Sequence, residues 1–458
     1  MRSHRYNNED RVISKKILSM ILPITLEGIL QMTTGIISMA MIGRIDSLAV
    51  SALGISNNIF NIIWALFKGI ATGASVFVAQ AHGASNYEKI RRISIETLIF
   101  SLLIVIILQQ IVFWNAESIL TIFDPSEQLL LNATRYLKII SWGLPFITIV
   151  LIVAGIFQGM GNAYTPMKIA IIMNLLNIVF SYTFIFGKLG FPSMGLKGAA
   201  YALLIAQTVA AFIGFKLLND KLNMVNLRGK SSSNRMRFQE VISVYKAGLP
   251  VSAERILWQA SSLFLTKAIL TYGEIAYAAY QLGLQAEGIS YMPAGGFSVA
   301  ATTFIGYAIG AKDMEMGKKY YKKLMNWTII LTIFTGGLLI FFPKEVMRIL
   351  TNDLDIIEIG AVYLFVMGIV QMPQNIKGVI EGALRGMGLT KAPSIIAMIG
   401  LWCIRVPLSL LVAYNLNMDI IFIWIIFGID LVFRFLCSLI LFKRKDVLNN
   451  TKMLIGDE

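Results

Sequence analysis

The sequence predicts an all-α polytopic membrane protein, with twelve transmembrane helices in two pseudo-symmetric six-helix bundles. Three observations carry the prediction: the composition, the spacing of the apolar runs and an internal repeat. Of 458 residues, 56% are apolar and 14% charged, whereas an average soluble domain is roughly 25% charged. So few polar groups cannot cover a soluble core of this length. Apolar runs longer than about 18 residues reach across a bilayer as helices. In lipid every backbone N–H and C=O must be paired within the protein, which leaves only helices and closed barrels. These runs lack the strict alternation of barrel strands.

Twelve spans are expected near 17–43, 50–81, 94–114, 129–158, 164–187, 195–218, 241–271, 277–309, 322–343, 357–384, 392–415 and 419–442. Lys and Arg accumulate on the cytoplasmic side of membrane proteins. With both termini inside, 27 basic residues fall in cytoplasmic segments and five outside: Arg44, Lys188, Lys197, Lys344 and Arg348. Acids gather in the outer turns, among them Asp46, Glu117, Asp124, Glu274 and Asp353. The expectation is a multi-pass protein of the cell membrane with cytoplasmic N- and C-termini. The organisation expected is an N-terminal lobe over 1–218, a cytoplasmic linker over 219–240 and a C-terminal lobe over 241–458. The linker run from Arg228 to Arg237, around Ser231, Ser232, Ser233 and Asn234, reads as solvated chain; polybasic stretches also meet anionic lipid.

The net charge of +14 is spread between apolar runs rather than gathered in a patch, so no nucleic-acid partner is expected. The start of the chain shows no signal-peptide pattern, and the first span is expected to stay in the protein. Cys403 and Cys437 fall in apolar runs and are expected to act as small buried hydrophobes. His4 and His82 lie in a tail and a loop, away from any ligand cluster, so no metal site or cofactor is expected. No paired His–acid cluster, serine elbow or phosphate loop is present, which argues against an enzyme. The partners expected are a small-molecule substrate and membrane lipids, with the protein a monomer.

Sliding the chain against itself by 227 residues aligns the two halves without gaps. Pro23 meets Pro250, Glu27 meets Glu254, Gly69 meets Gly296 and Gly83-Ala84 meets Gly310-Ala311. Gly159-Met160-Gly161 meets Gly386-Met387-Gly388, and Pro166 meets Pro393. Shared apolar composition would pair Leu with Ile by chance, but not Gly, Pro and Glu in one register. Each copy has six spans, so both enter from the same side. Parallel six-helix halves are a transporter arrangement, with the substrate expected between the two lobes. No channel filter sequence is present.

These repeated landmarks carry a family resemblance. The stretch from Pro23 through LEGILQMTTGIISMAMIGRIDSLAVSALG resembles the first-helix region of the multidrug and toxic compound extrusion (MATE) family. The same holds for GASVFVAQAHGASNYEKIRR and for the pair GIFQGMGNAYTP and GALRGMGLTKAP. The resemblance covers essentially the whole chain. It implies a cation-coupled antiporter, driven by proton or sodium, that exports small organic or drug-like compounds by alternating access between two lobes. The alternative is a flippase for a lipid-linked precursor from the same superfamily. The chain departs from the family pattern at both familiar coupling sites. Where one branch carries a first-helix carboxylate, this chain reads Ile37-Ser38-Met39; that branch's fifth- and sixth-helix positions fall on Asn177, Ser181 and Leu203. The other branch's two acids fall on Trp258 and Gln374. The coupling ion is therefore open between proton and sodium, with proton favoured.

An ionisable residue inside a membrane helix is expensive unless it is paired or faces a wet cavity, which makes it a functional candidate. Glu27 and Glu254 occupy matching places in the first and seventh spans, four residues after a proline. They are the coupling-ion candidates, by exchange of a proton for substrate. A static pairing with a nearby basic group is the competing reading, more so for Glu254 beside Arg255. Gln31 and Ser38 extend a polar stripe from Glu27 along one helix face. With Asn57, Asn177, Trp258, Gln281, Gln285, Gln374 and Arg405 they form the set of substrate-cavity candidates. The amides among them serve equally well as interhelical hydrogen-bonders. Asp430 with Arg434, and Lys377 with Glu381, stand four apart and are expected to pair. Arg405 has no acid near it in sequence and is a candidate for contact with an anionic group.

Overall fold

The computed structural model describes residues 2–224, 238–416 and 418–444. The linker run from Arg228 to Arg237 and the basic residues Lys445 and Lys452 lie outside the described residues. Every regular element within them is helical: α1 (Arg2–Gly43), α2 (Ser47–Gly83), α3 (Tyr87–Trp114), α4 (Ala116–Leu120), α5 (Glu127–Ser141), α6 (Leu144–Gly159), α7 (Tyr164–Phe186) and α8 (Gly195–Leu222) come first. Then follow α9 (Phe238–Leu270), α10 (Glu274–Gly310), α11 (Met314–Phe341), α12 (Pro343–Arg348), α13 (Leu354–Gly386), α14 (Lys391–Ile399), α15 (Val406–Leu411) and α16 (Ile421–Arg444).

Ten of these stretches are long and apolar enough to cross a membrane, and the bent pair α5–α6 makes an eleventh. The twelfth expected span is α9. Its length suffices, but Lys246, Glu254, Arg255 and Lys267 lower its apolar character. A shift of 227 residues carries α2 onto α10 and α3 onto α11 from end to end, and carries the α5–α6 pair onto α13.

Two departures from the repeat have local causes. The expected span 129–158 is broken between α5 and α6, which meet at 50°. Trp142-Gly143 forms the break, and Pro145 opens the next helix in its first turn, where a missing N–H costs no hydrogen bond. The second copy has Val370 in place of Gly143 and runs through as one helix despite Pro373. Conversely, α7 is regular, whereas its counterpart passes through π-helical turns at Gly400–Arg405 and Val412–Leu416, on either side of α15. Pro407 cannot donate to the carbonyl four residues back, and wider turns are one way for a helix to accommodate that loss.

The chain divides into two compact units. The first holds residues 26–78 and 86–252; the second holds 1–25, 79–85 and 253–458. The entry half of each repeat's opening helix thus belongs to the unit that the other repeat mainly builds. α1 changes unit two residues after Pro23, and α9 changes two residues after Pro250.

In the first unit, Ser252 Oγ on α9 donates to the carbonyl of Leu66 on α2 (2.6 Å). Ser56 donates to the carbonyl of Ala133 (3.2 Å), tying α2 to α5. Arg92 and Glu240 form an ion pair at 3.4 Å. In the second unit, Gln80 Nε2 donates to the carbonyl of Gly386 (2.9 Å). There α2 and α10 meet through glycine: a Cβ on Gly83 would strike the Tyr307 carbonyl, and one on Gly310 would strike that of Gln80. The core of this unit is aromatic. Tyr280 stacks on Trp424 at 5.6 Å between ring centroids, and Tyr363 packs edge-on against Trp424 at 5.0 Å.

Candidate functional site

One cavity in the first unit draws together side chains distant in sequence. On α1, Gln31, Thr34 and Ser38 recur at three- and four-residue steps and therefore share a face. Asn174, Asn177 and Ser181 do the same on α7. Asn57 and Leu53 come from α2, Tyr136 from α5, and Ala199 and Leu203 from α8. The cavity measures about 320 Å³. Ser181 Oγ donates to Asn177 Oδ1 (3.2 Å). Ser38 Oγ and Asn174 Nδ2 are buried without a hydrogen-bond partner, an expensive arrangement that leaves the wall ready to bond something within the cavity. No lining residue carries a formal charge.

Four of the substrate-cavity candidates read from the sequence therefore meet on one wall: Gln31, Ser38, Asn57 and Asn177. The neutral residues at the first familiar coupling site, Ser38, Asn177, Ser181 and Leu203, all lie on it. Glu27 sits one turn before Gln31 on α1, half-buried, with Oε2 unpartnered. The charged group that acts on it is Lys68 of α2. Lys68 escaped sequence reasoning, although a lone cation within the second span is the same signal that singled out Glu27.

The remaining candidates belong to the second unit. Trp258 is 48% exposed and Gln285 is also exposed. Gln281 donates to the hydroxyl of Tyr277 (2.8 Å), and Gln374 is half-buried. Glu254 Oε2 accepts from Arg385 Nη2 (3.1 Å) and from Ser394 Oγ (2.8 Å). Its ion-pair partner is Arg385 from α13, rather than its neighbour in sequence, Arg255. Arg405 has an acid after all: its Nε donates to Asp430 Oδ2 at 2.7 Å, and its guanidinium lies over the ring of Phe427. Asp430 also holds Arg434, and Lys377 reaches Glu381 at 3.7 Å, as the four-residue spacings predict.

Sequence reasoning also passed over Glu287, near the middle of α10 and only 5% exposed. Tyr363 donates its hydroxyl to Glu287 Oε2 (2.7 Å), and Gln371 Nε2 donates to Oε1 (2.9 Å). Alongside, Asn375 Nδ2 donates to Ser290 Oγ (3.1 Å) and Thr332 Oγ1 (3.0 Å). Gln371 and Asn375 are thus interhelical fasteners.

The two units treat equivalent positions in opposite ways. Ser38, Asn57, Asn177 and Ser181 of the cavity wall correspond to Leu265, Leu284, Ile404 and Leu408. Leu53 corresponds to Tyr280, a member of the aromatic core. The first copy has a polar cavity wall where the second carries aliphatic and aromatic side chains.

The model of the MatE family matches the chain twice, over residues 23–183 and again over 250–411. The chain belongs to the MATE family of multidrug efflux transporters. Both matches begin at the paired prolines, Pro23 and Pro250, so the MATE unit is the repeat read from the sequence. Among curated MATE relatives, the probable multidrug resistance protein NorM of Thermotoga maritima is 29% identical over 94% of this chain and 92% of its own length. The uncharacterized transporter YisQ of Bacillus subtilis is 25% identical over 90% of each. A solved multidrug resistance MATE family transporter in an outward-facing conformation superposes with a TM-score of 0.84 at 21% identity, covering 96% of this chain and 97% of that one. The family is one of transporters.

Proposed function

We propose that this MATE transporter is a secondary-active exporter that exchanges a cation for small organic, drug-like compounds by alternating access, with the cavity of the first unit as substrate site. The observation that carries this reading is the chemistry of the cavity wall. At about 320 Å³ it falls in the range of small-molecule pockets, about 300–1,000 Å³. Its amides and hydroxyls offer donors and acceptors but no charge, so it selects by shape and hydrogen bonding and accepts varied compounds. The NorM relatives bear the name of multidrug resistance proteins, in keeping with such a wall.

Glu27 supplies the coupling group. A single carboxylate one turn from the cavity suits a proton better than a metal cation, which requires several oxygens. Deprotonated, it attracts a cationic compound; protonated, it no longer does. Glu254, already bound to Arg385, is the weaker of the two candidates.

The test is transport of ethidium in proteoliposomes under separately imposed proton and sodium gradients. The proton gradient is expected to drive transport. Glu27→Gln is expected to lower the gradient-driven rate by at least about tenfold, equivalent to about 1.4 kcal/mol of activation free energy, and to abolish its pH dependence. Asn177→Leu is expected to weaken ethidium binding while leaving the pH dependence in place. A wild-type rate indifferent to both gradients, or unchanged pH dependence in Glu27→Gln, overturns the reading.

A further inference from the structure

The second unit contains a string of ionised side chains that does not balance. It starts at Arg405, whose Nε donates to Asp430 at 2.7 Å; Asp430, fully buried, also takes Arg434 Nε at 2.6 Å. Arg434 in turn feels Glu381. Glu381 lies 3.7 Å from Lys377 and 3.9 Å from Arg385, and Arg385 reaches Glu254 at 3.1 Å. Arg255 ends the string, acted on by Glu254 and by the like charge of Arg385. The cations are Arg255, Lys377, Arg385, Arg405 and Arg434; the anions are Glu254, Glu381 and Asp430. Glu287, beyond Tyr363, is occupied by a phenol and an amide, and counting it still leaves cations in excess.

The surplus is concentrated where α9 meets α13. The carboxylate that acts on Arg255 is Glu254, which is already committed to Arg385 and Ser394. Arg255 Nε and Arg385 Nε are both buried without an acceptor. Lys377 also acts on Glu254, which places its ammonium in the same neighbourhood. Two guanidiniums, each with a buried Nε that has no acceptor, and one ammonium, in a cluster where cations outnumber carboxylates, make a setting that suits an added oxyanion.

We propose that Arg255, Lys377 and Arg385 form a binding site for a phosphate-class oxyanion. The charge favours phosphate: a phosphate monoester carries about −1.5 to −2 at neutral pH and three acceptor oxygens, against an excess of one or two cations and donor groups on three side chains that all act on Glu254. The oxyanion comes either from a lipid headgroup or from a soluble phosphate. The proposal rests on charge balance within the second unit and is independent of the substrate cavity and of Glu27.

The experiment uses the purified full-length chain in nonionic detergent, with thermal unfolding as readout. One arm titrates inorganic phosphate against chloride at matched ionic strength. The other titrates phosphatidic acid, whose headgroup is a phosphate monoester, against phosphatidylcholine. Saturable stabilisation by inorganic phosphate assigns a soluble ligand; stabilisation by phosphatidic acid alone assigns a lipid headgroup. In either case Arg255→Gln and Lys377→Gln are expected to weaken the apparent affinity about tenfold each, as for one lost charge-assisted contact. Arg348→Gln, at an exposed position on α12, is expected to leave it unchanged. Arg255→Lys keeps the charge but loses the fork and is expected to fall between, so the test survives if Arg255→Gln does not fold. The proposal is overturned if neither probe exceeds its control, or if stabilisation persists undiminished in the Arg255 and Lys377 variants.

Discussion

At the level of single residues, pairings show in the sequence only where the spacing is short. Asp430 with Arg434 and Lys377 with Glu381 stand one helical turn apart, and both pairs form. Arg405 meets Asp430 across 25 positions, and Glu254 meets Arg385 across 131; no local pattern announces either, because helix packing makes them. Asp430 joins two guanidiniums in a fully buried position. Removing one partner of a buried ion pair costs about 3–5 kcal/mol. Asp430→Asn is therefore expected to lower the apparent midpoint of thermal unfolding well beyond any surface substitution. Tyr363→Phe deletes the hydroxyl that serves Glu287 and is expected to cost about 1.5–3 kcal/mol, the range for a hydrogen bond to a charged group. If Glu287→Gln with Tyr363→Phe is no less stable than either single variant, the bond carries the effect.

At the level of helices, the apolar runs placed ten long apolar helices and the bent pair α5–α6, with α9 a helix of lower apolar character. Proline alone did not distinguish the 129–158 run from a continuous helix, since Pro373 sits inside the unbroken α13 while Pro145 opens α6; the local difference is Gly143, where the second copy has Val370. Gly83 and Gly310, matched in the repeat, gained a reason only when each proved to lie against a backbone carbonyl of the opposing helix. A carbonyl cannot rotate aside as a side chain can. Gly310→Val is therefore expected to force α2 and α10 apart at a cost of about 1–3 kcal/mol, visible as reduced yield of folded protein and a lower unfolding midpoint. The same substitution at Gly190, where nothing lies within 4 Å of an added Cβ, still carries a left-handed backbone penalty, so Gly295→Val, free of both constraints, is the better control.

Across the whole molecule, the duplication was legible because Gly, Pro and Glu hold register, but the repeat does not show how the candidate residues of each copy are disposed. The substrate-cavity candidates of the first copy line one cavity; of those in the second, Trp258 and Gln285 are exposed, Gln281 is hydrogen-bonded, Arg405 is ion-paired and Gln374 is half-buried. Sequence alone could not show this, since it depends on how side chains such as Tyr280 and Trp424 pack. Leu53→Tyr copies Tyr280 into the cavity wall. It is expected to abolish ethidium transport while sparing stability, because the ring enters open space and avoids the overpacking penalty of about 1–3 kcal/mol.

The exchange of opening segments has a consequence for biosynthesis. Residues 1–25 precede the first unit in the chain but belong with a body whose other main part starts at Ala253, and the body begun at Leu26 is finished only at Ser252. Neither half of the sequence contains a complete unit, so folding of each unit is expected to require segments from both halves. A chain severed within 225–237 and expressed as two pieces is expected to yield stable protein only when both pieces are made together.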